Sequence, residues 1–335
     1  MTTARPRVRI LATGGSISGL GPHRLDYLQY SELGRRLAIE EMLARIPEVH
    51  ELADVRGENL TSVGSTSIGP QEWLQLAQRI NQLYHDEPEL SGIVITHGTA
   101  TLEETAYFLH LTVKSAKPVV VTGAMRPPTA LSTDADLNLL DAIRIAACPD
   151  AGGRGVLTVL NNEIQSARDV TKSNTLRVET FHSNHLGLLG YADSDGQVLF
   201  YRSVTRKHTV DTPFNTSSIQ TLPRVDIVYA YGGADGLLVD AVRQHRSAGL
   251  VVAGFGSGTF PPTFLDAAVQ AATDGLPVVL ASRSTSGRII MTPKKKEAGF
   301  IVADDLHPQK ARILLMLALT MSHDRQAIQE AFYTF

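Results

Sequence analysis

Hydroxyls beside paired glycines, set just after a β-branched run, are the first sign of chemistry in this chain. Residues 11–19 read LATGGSISG and follow the strand-like run Val8–Ala12. Glycines at a strand's C-terminal end let backbone N–H groups approach a ligand closely, and ligands of open α/β sheets bind at that edge. Thr13, Ser16 and Ser18 are therefore candidate nucleophiles with a backbone oxyanion site beside them. A plain turn or a dinucleotide loop competes with this reading, but the GxGxxG spacing of the latter is absent. A second segment, ITHGTATLEE at 95–104, reads as strand, glycine turn and helix. Thr101 and Glu104 have capping-box spacing, which starts the helix near Leu102 and makes Thr101 a cap. Thr99 then sits where unpaired helix amides would hold an anion or a polarised water. His97 is a candidate base with no evident orienting partner. The third segment, VTGAMRPP at 121–128, reads as a proline-stiffened loop with Arg126 in an ion pair. In the fourth, RDVTK at 168–172, Lys172 can act as a base only if burial or a neighbouring charge lowers its pKa.

These segments need strands and helices to hold them. Ile93–Ile95, Val119–Val121 and Val156–Leu160 are continuous apolar runs of the kind buried on both faces of a parallel sheet. Between them Trp73, Leu76, Ala77, Ile80, Leu83 and Tyr84 form a helical stripe, as do Ile39, Met42, Leu43 and Ile46 before Pro47. The alternation predicts an α/β fold with a mostly parallel sheet. Asp195-Gly196 between two strand-like pieces predicts a hairpin. A polar, Ser/Thr-rich stretch follows, and then the strand–helix rhythm resumes at Val225–Tyr229, Leu250–Ala253 and Val278–Ala281. The chain is expected to end in a helix carrying Ile313, Leu314, Leu317 and Ala318. This gives a larger N-terminal domain at 1–205, a linker at 206–221 and a smaller α/β domain at 222–335.

Composition narrows the function. At 335 residues the chain has room for two domains of roughly 150 residues. Its 31 Lys and Arg against 34 Asp and Glu give a net charge of -3, without the basic excess of a nucleic-acid binder. A single cysteine, Cys148, excludes a disulfide scaffold and a Cys-rich zinc site. No apolar run reaches the ~18 residues of a membrane span, and the basic start Met1–Ile10 runs into Gly14, Gly15 and Ser16 rather than a signal-peptide core. A cytoplasmic protein with no nucleic-acid or membrane partner is expected.

Taken together, the four segments resemble the bacterial L-asparaginase/glutaminase family. ILATGGSIS resembles its first signature, and ITHGTATLEETAYFL its second with one central change. KPVVVTGAMRP, RDVTK, RKHT with DTPF, and HPQKAR at 307–312 carry the likeness along nearly the whole chain. The resemblance implies the two-domain α/β fold of that family, usually in homo-oligomers of two or four subunits. It implies amide hydrolysis of a small-molecule substrate through an acyl-enzyme, with no cofactor and no metal. The family's nucleophilic threonine falls on Ser16, its second threonine on Thr99 and its lysine on Lys172. A lid tyrosine falls on Tyr30, with Tyr27 as the alternative. The serine that holds the substrate α-carboxylate falls on Ser65, and the main-chain contact to the leaving amide falls on Ala124. Gly15 and Gly98 flank the two hydroxyl residues at the substrate site.

The departures share one direction. The family's aspartate after the second threonine is Ala100, and its substrate-site glutamine is Thr66. The asparagine and glutamate that a partner subunit would contribute align with Gly233 and Thr292. Groups that would cradle an ammonium are gone, whereas the hydroxyls and lysine for hydrolysis are kept. An uncompensated charge in a closed site is strongly disfavoured. The sequence thus predicts hydrolysis of a carboxamide or lactam whose substrate lacks a free α-ammonium. The alternatives are an L-asparaginase, native or disabled at Ala100, and a non-catalytic ligand-binding homologue. Lys294–Lys296 would suit an anionic substrate but reads more simply as a solvated loop.

Overall fold

The computed structural model describes residues 5–183 and 185–335; the first four residues of the basic start lie outside it. The chain divides into two compact units, Met1–Thr212 and Pro213–Phe335, with the division inside the polar stretch.

The first unit carries β1 (Arg7–Gly14), α1 (Tyr30–Leu33), α2 (Ile39–Leu43), α3 (Val49–Leu52), β2 (Asp54–Val63), α4 (Pro70–Asp86), β3 (Leu90–Thr96), α5 (Leu102–Thr112), β4 (Val119–Thr122), α6 (Ala135–Ala147), β5 (Val156–Leu160), β6 (Glu163–Ser166), β7 (Thr171–Lys172), β8 (Phe181–His182), β9 (Gly190–Ala192) and β10 (Val198–Phe200). Its eight-stranded sheet runs β10-β9-β6-β5-β4-β3-β1-β2. The five strands from β5 to β2 are parallel, and β6, β9 and β10 continue the sheet antiparallel. The β9–β10 pair is the hairpin that Asp195-Gly196 signals. Each apolar run of the sequence is a central strand: Ile93, Val94, Ile95, Val120 and Val121 have no solvent exposure. Residues buried on both faces need no alternation, which is why these runs are uniformly aliphatic.

Strand order places the site. The chain passes from β1 to β2 on one side, then returns to add β3 on the other side of β1. The ends of β1 and β3 therefore diverge, making the crevice where open α/β sheets take ligands. Ser16 follows β1, Ser65 follows β2 and Thr99 follows β3, so three neighbouring strands deliver three hydroxyls to one sheet edge.

The second unit carries β11 (Val225–Tyr229), α7 (Leu237–Gln244), β12 (Gly249–Gly254), α8 (Pro262–Thr273), β13 (Val278–Ser282), α9 (Pro293–Glu297), β14 (Ile301–Val302), α10 (Pro308–Leu319) and α11 (Arg325–Thr334). Its four strands form a wholly parallel sheet in the order β11-β12-β13-β14. The expected last helix is α10, but α11 follows it. Asp324 caps α11 by accepting from the Ala327 N–H at 2.8 Å, and Ile328 and Phe332 are its buried positions. Two apolar anchors make a weak stripe, which is why periodicity did not reveal this helix. No helix among the described residues is long and apolar enough to cross a membrane.

Candidate active site

The nucleophile loop is built by close contact. Gly14 and Gly15 have φ of 101° and 86°, a region that side-chain-bearing residues avoid. A Cβ on Gly15 would lie 2.3 Å from both the Cα and N of Gly98, so the loops after β1 and β3 touch backbone to backbone. The Gly15 N–H is already engaged, donating to the Val63 carbonyl at 3.1 Å. Among the three hydroxyls of this segment the structure selects one. Thr13 donates to the Thr96 carbonyl and Ser18 to the Gly15 carbonyl, and both are buried. Ser16 is half-buried and opens into a cleft of about 450 Å³.

That cleft is lined by Gly15, Ser16, Tyr30, Ser65, Thr66, Gly98, Thr99, Ala100 and Lys172, nine of the ten residues the sequence placed there. Gly19, Ser31, Arg36 and Gly64 complete the lining. Ala124 is fully buried after β4 and does not line the cleft. Two hydrogen-bonded pairs face each other across the touching loops. Tyr30 Oη donates to Ser16 Oγ at 2.8 Å. Lys172 Nζ donates to Thr99 Oγ1 at 2.8 Å. Of the two tyrosines that could fill the lid position, Tyr30 is the one at Ser16; the Tyr27 hydroxyl donates to the Leu131 carbonyl instead. Tyr30 is held by the Asp26 carboxylate, which accepts from the Gln29 and Tyr30 N–H groups at 2.8 Å. Gly19 leaves room for the ring, since a Cβ there would meet Tyr30 Cδ2 at 2.8 Å.

Lys172 sits on β7, a two-residue strand paired with β8. Burial lowers its pKa from the ordinary lysine value, and the nearby Glu103 charge opposes that shift. Glu103 is itself buried, and its carboxylate accepts the Lys172 backbone N–H at 3.2 Å. Sequence reasoning passed over Glu103 in favour of Glu104. The signal available was two acids in one first turn, directly after a candidate hydroxyl.

The expected cap at Thr101 is not formed. Helix α5 does begin at Leu102, but no Thr101 side-chain bond caps it. The Thr101 hydroxyl donates to the Ser65 carbonyl at 2.7 Å, tying the loop after β2 to the loop after β3. His97 is not in the cleft. It is fully buried, with Nδ1 2.8 Å from the Gly98 carbonyl and Nε2 2.9 Å from Thr105 Oγ1. Trp73 Nε1 donates to the same Thr105 oxygen at 2.9 Å. Burial pushes the His97 pKa down to about 4, with the Gly98 hydrogen bond opposing. A neutral His97 with both nitrogens bonded positions Gly98 rather than moving protons. Arg126 makes no ion pair among the described residues; its guanidinium donates to the Ser132 carbonyl at 2.7 Å. Asp134, which could have paired with it, instead accepts the Met125 and Arg126 backbone N–H groups.

The lining of the cleft carries Arg36 and Lys172 but no carboxylate among the described residues. Lys295, from the run at 294–296, is engaged in the second unit by the Ser257 and Ile290 carbonyls.

Comparison with known proteins identifies the family. Residues 7–206 match the family described as asparaginase, N-terminal, and residues 224–332 the glutaminase/asparaginase C-terminal domain. The chain is 43% identical to L-asparaginase 2 of Bacillus subtilis, covering 98% of this chain and 86% of the relative. It is 42% identical to L-asparaginase 2 of Escherichia coli, covering 98% and 93% respectively. The crystal structure of a probable cytoplasmic L-asparaginase from Campylobacter jejuni superposes with a TM-score of 0.94 at 40% identity, over 99% of this chain and 100% of that one. The chain therefore belongs to the asparaginase family. It is a hydrolase of amide C–N bonds with the family's two-domain α/β fold.

Proposed function

We propose that the protein is an L-asparaginase-type hydrolase that releases ammonia from the side-chain amide of an asparagine-shaped substrate. The observation that carries this reading is the pair of contacts, Tyr30 to Ser16 and Lys172 to Thr99, at the mouth of one cleft. The similarity to L-asparaginases over the whole chain supports it. Ser16 Oγ attacks the amide carbon and its proton passes through the hydroxyl network to the leaving nitrogen. The C–N bond breaks, ammonia leaves, and Ser16 holds the acyl group as an ester. Water then adds to that ester, assisted by Thr99 and Lys172, and the carboxylic acid departs. The Ser16 N–H is the oxyanion donor from the first loop, since Gly15 is committed to Val63. Burial of Lys172 favours its neutral form, which is the form that can accept a proton. A cytoplasmic location, which is also the Campylobacter neighbour's description, belongs to the same reading.

A second reading alters only the head group. Ala100 presents a methyl in the cleft, and among the described residues the only charged side chains on its lining are cationic. An α-ammonium would meet no counter-charge there, which favours an amide substrate without one. Ammonia release from asparagine and succinamate, which differ by the α-amino group, separates the two readings. Turnover of either by the wild type, reduced at least about a thousandfold in Ser16→Ala, supports the proposed chemistry. Unchanged turnover in Ser16→Ala overturns it.

A further inference from the structure

The lining of the cleft includes a cation that the reaction does not use. Arg36 follows the segment that carries Tyr30, and its backbone is fixed independently of that segment. Gly19 and Arg36 form an antiparallel bridge, with the Leu20 N–H on the Arg35 carbonyl and the Leu37 N–H on the Ser18 carbonyl. The guanidinium is steadied by one bond, Nη1 to the Ser62 carbonyl at 3.2 Å. Its Nη2 lies 3.9 Å from the point where a side chain on Gly64 would start, and Thr66 Oγ1 lies 3.8 Å from the same point. Glycine at 64 thus leaves open a space bounded by a guanidinium and a hydroxyl, next to Ser65. Among the described residues no carboxylate pairs with Arg36. Other partly buried arginines pair with carboxylates: Arg9 with Glu87, Arg45 with Asp136 and Arg79 with Glu58. An arginine with free donors on a cleft that lacks acids among the described residues is suited to an anionic ligand, because charge-assisted bonds from such a fork are strong and directional.

We propose that Arg36, with Thr66 beside it, holds the carboxylate of the substrate, and that the enzyme prefers monoamides of dicarboxylic acids that lack an α-amino group over those that carry an α-ammonium. This rests on the second reading above and adds the residue that enforces it. Arg36 repels an ammonium placed near Thr66 and Ala100, and attracts a carboxylate there. The substrate is then gripped by its carboxylate at Arg36 and cleaved at its amide by Ser16.

Calorimetric titration of succinate, the dicarboxylate product of succinamate hydrolysis, tests Arg36 without requiring turnover. Wild-type protein should bind succinate about 10- to 100-fold more tightly than Arg36→Ala, the range for losing a charged hydrogen bond. Arg36→Lys should recover part of the loss. In steady-state assays Arg36→Ala should raise the KM for succinamate by a similar factor while kcat is kept, and asparagine should have the lower kcat/KM in the wild type. Thermal melting checks that the variants are folded. Equal succinate binding by wild type and Arg36→Ala, or no succinate binding by the wild type, overturns the assignment. A higher kcat/KM for asparagine than for succinamate overturns the preference. Failure of the hydrolytic reading would appear separately, as absence of ammonia from every amide, and the succinate titration would still decide the role of Arg36.

Discussion

In one part of the cleft four polar side chains are paired off at 2.8 Å, Tyr30 with Ser16 and Lys172 with Thr99. In the other, Thr66 and Ala100 are exposed, the buried Ser65 accepts through its carbonyl from Thr101 and from the Ile68 N–H, and Arg36 holds a single backbone carbonyl. The reacting part is fixed by strand ends and by a chain of buried contacts reaching Trp73. The recognition part is fixed in its backbone and open in its side chains. Such a division allows the head group of the substrate to change while the bond-breaking geometry stays put. On the proposal above, Ala100 in place of the family's aspartate changes the partner for the substrate's head group and leaves the reacting side chains in place.

Lys172→Met bears hardest on this contrast. It should lower kcat by about 10²–10⁴-fold, the scale of a lost general base, with thermal stability little changed. The same lysine sets the pH profile. Its pKa is lowered by burial and partly restored by Glu103, so activity should fall as pH drops through a value below the ordinary 10.5. Glu103→Gln removes the restoring charge and should move that limb to lower pH. A limb near the ordinary histidine value is not expected, because His97 stays neutral down to about 4. Ala100→Asp acts on the other part of the cleft. It should raise kcat/KM for asparagine by about 10- to 100-fold, since a counter-charge facing the substrate's head group discriminates on that scale or more, and should lower it for succinamate. A variant that improves neither substrate would show that the two parts are not separable. Tyr30→Phe removes one bond to Ser16 and should cost about tenfold in kcat, measured by ammonia release. The smallest kinetic effect is expected from Thr105→Val. It removes the Thr105 hydroxyl from its bonds to Trp73 Nε1 and His97 Nε2, which should cost about 1–3 kcal/mol of stability, read by denaturant melts, and only a few-fold in rate.

Much of the fold was legible because the sheet is buried on both faces. Runs such as Ile93–Ile95 and Val156–Leu160 can be little else than central strands, and the hairpin at Asp195-Gly196 announces itself through turn chemistry. Helix α11 was not, because only Ile328 and Phe332 commit it to the interior. At the site, Ser16, Thr99 and Lys172 stood out through their glycine and strand context together with the family likeness. Arg36 and Glu103 did not, for a shared physical reason. Their roles come from where other segments fold, Arg36 from a bridge to Gly19 and Glu103 from the arrival of Lys172 on β7. Local spacing carries no trace of either. Thr101 misled for the converse reason: its spacing to Glu104 satisfies a local rule, but a neighbouring loop offered the Ser65 carbonyl and took the hydroxyl.

The meeting of Gly15 with Gly98 has a mechanical consequence. The separation between the loops that carry Ser16 and Thr99 is set by main-chain atoms in close contact. A methyl group at either position would wedge the two strand ends apart, and displacements of about an ångström between reacting groups are enough to cost a hundredfold in rate. Two hydrogen atoms, in effect, serve as the spacer that keeps the enzyme in tune.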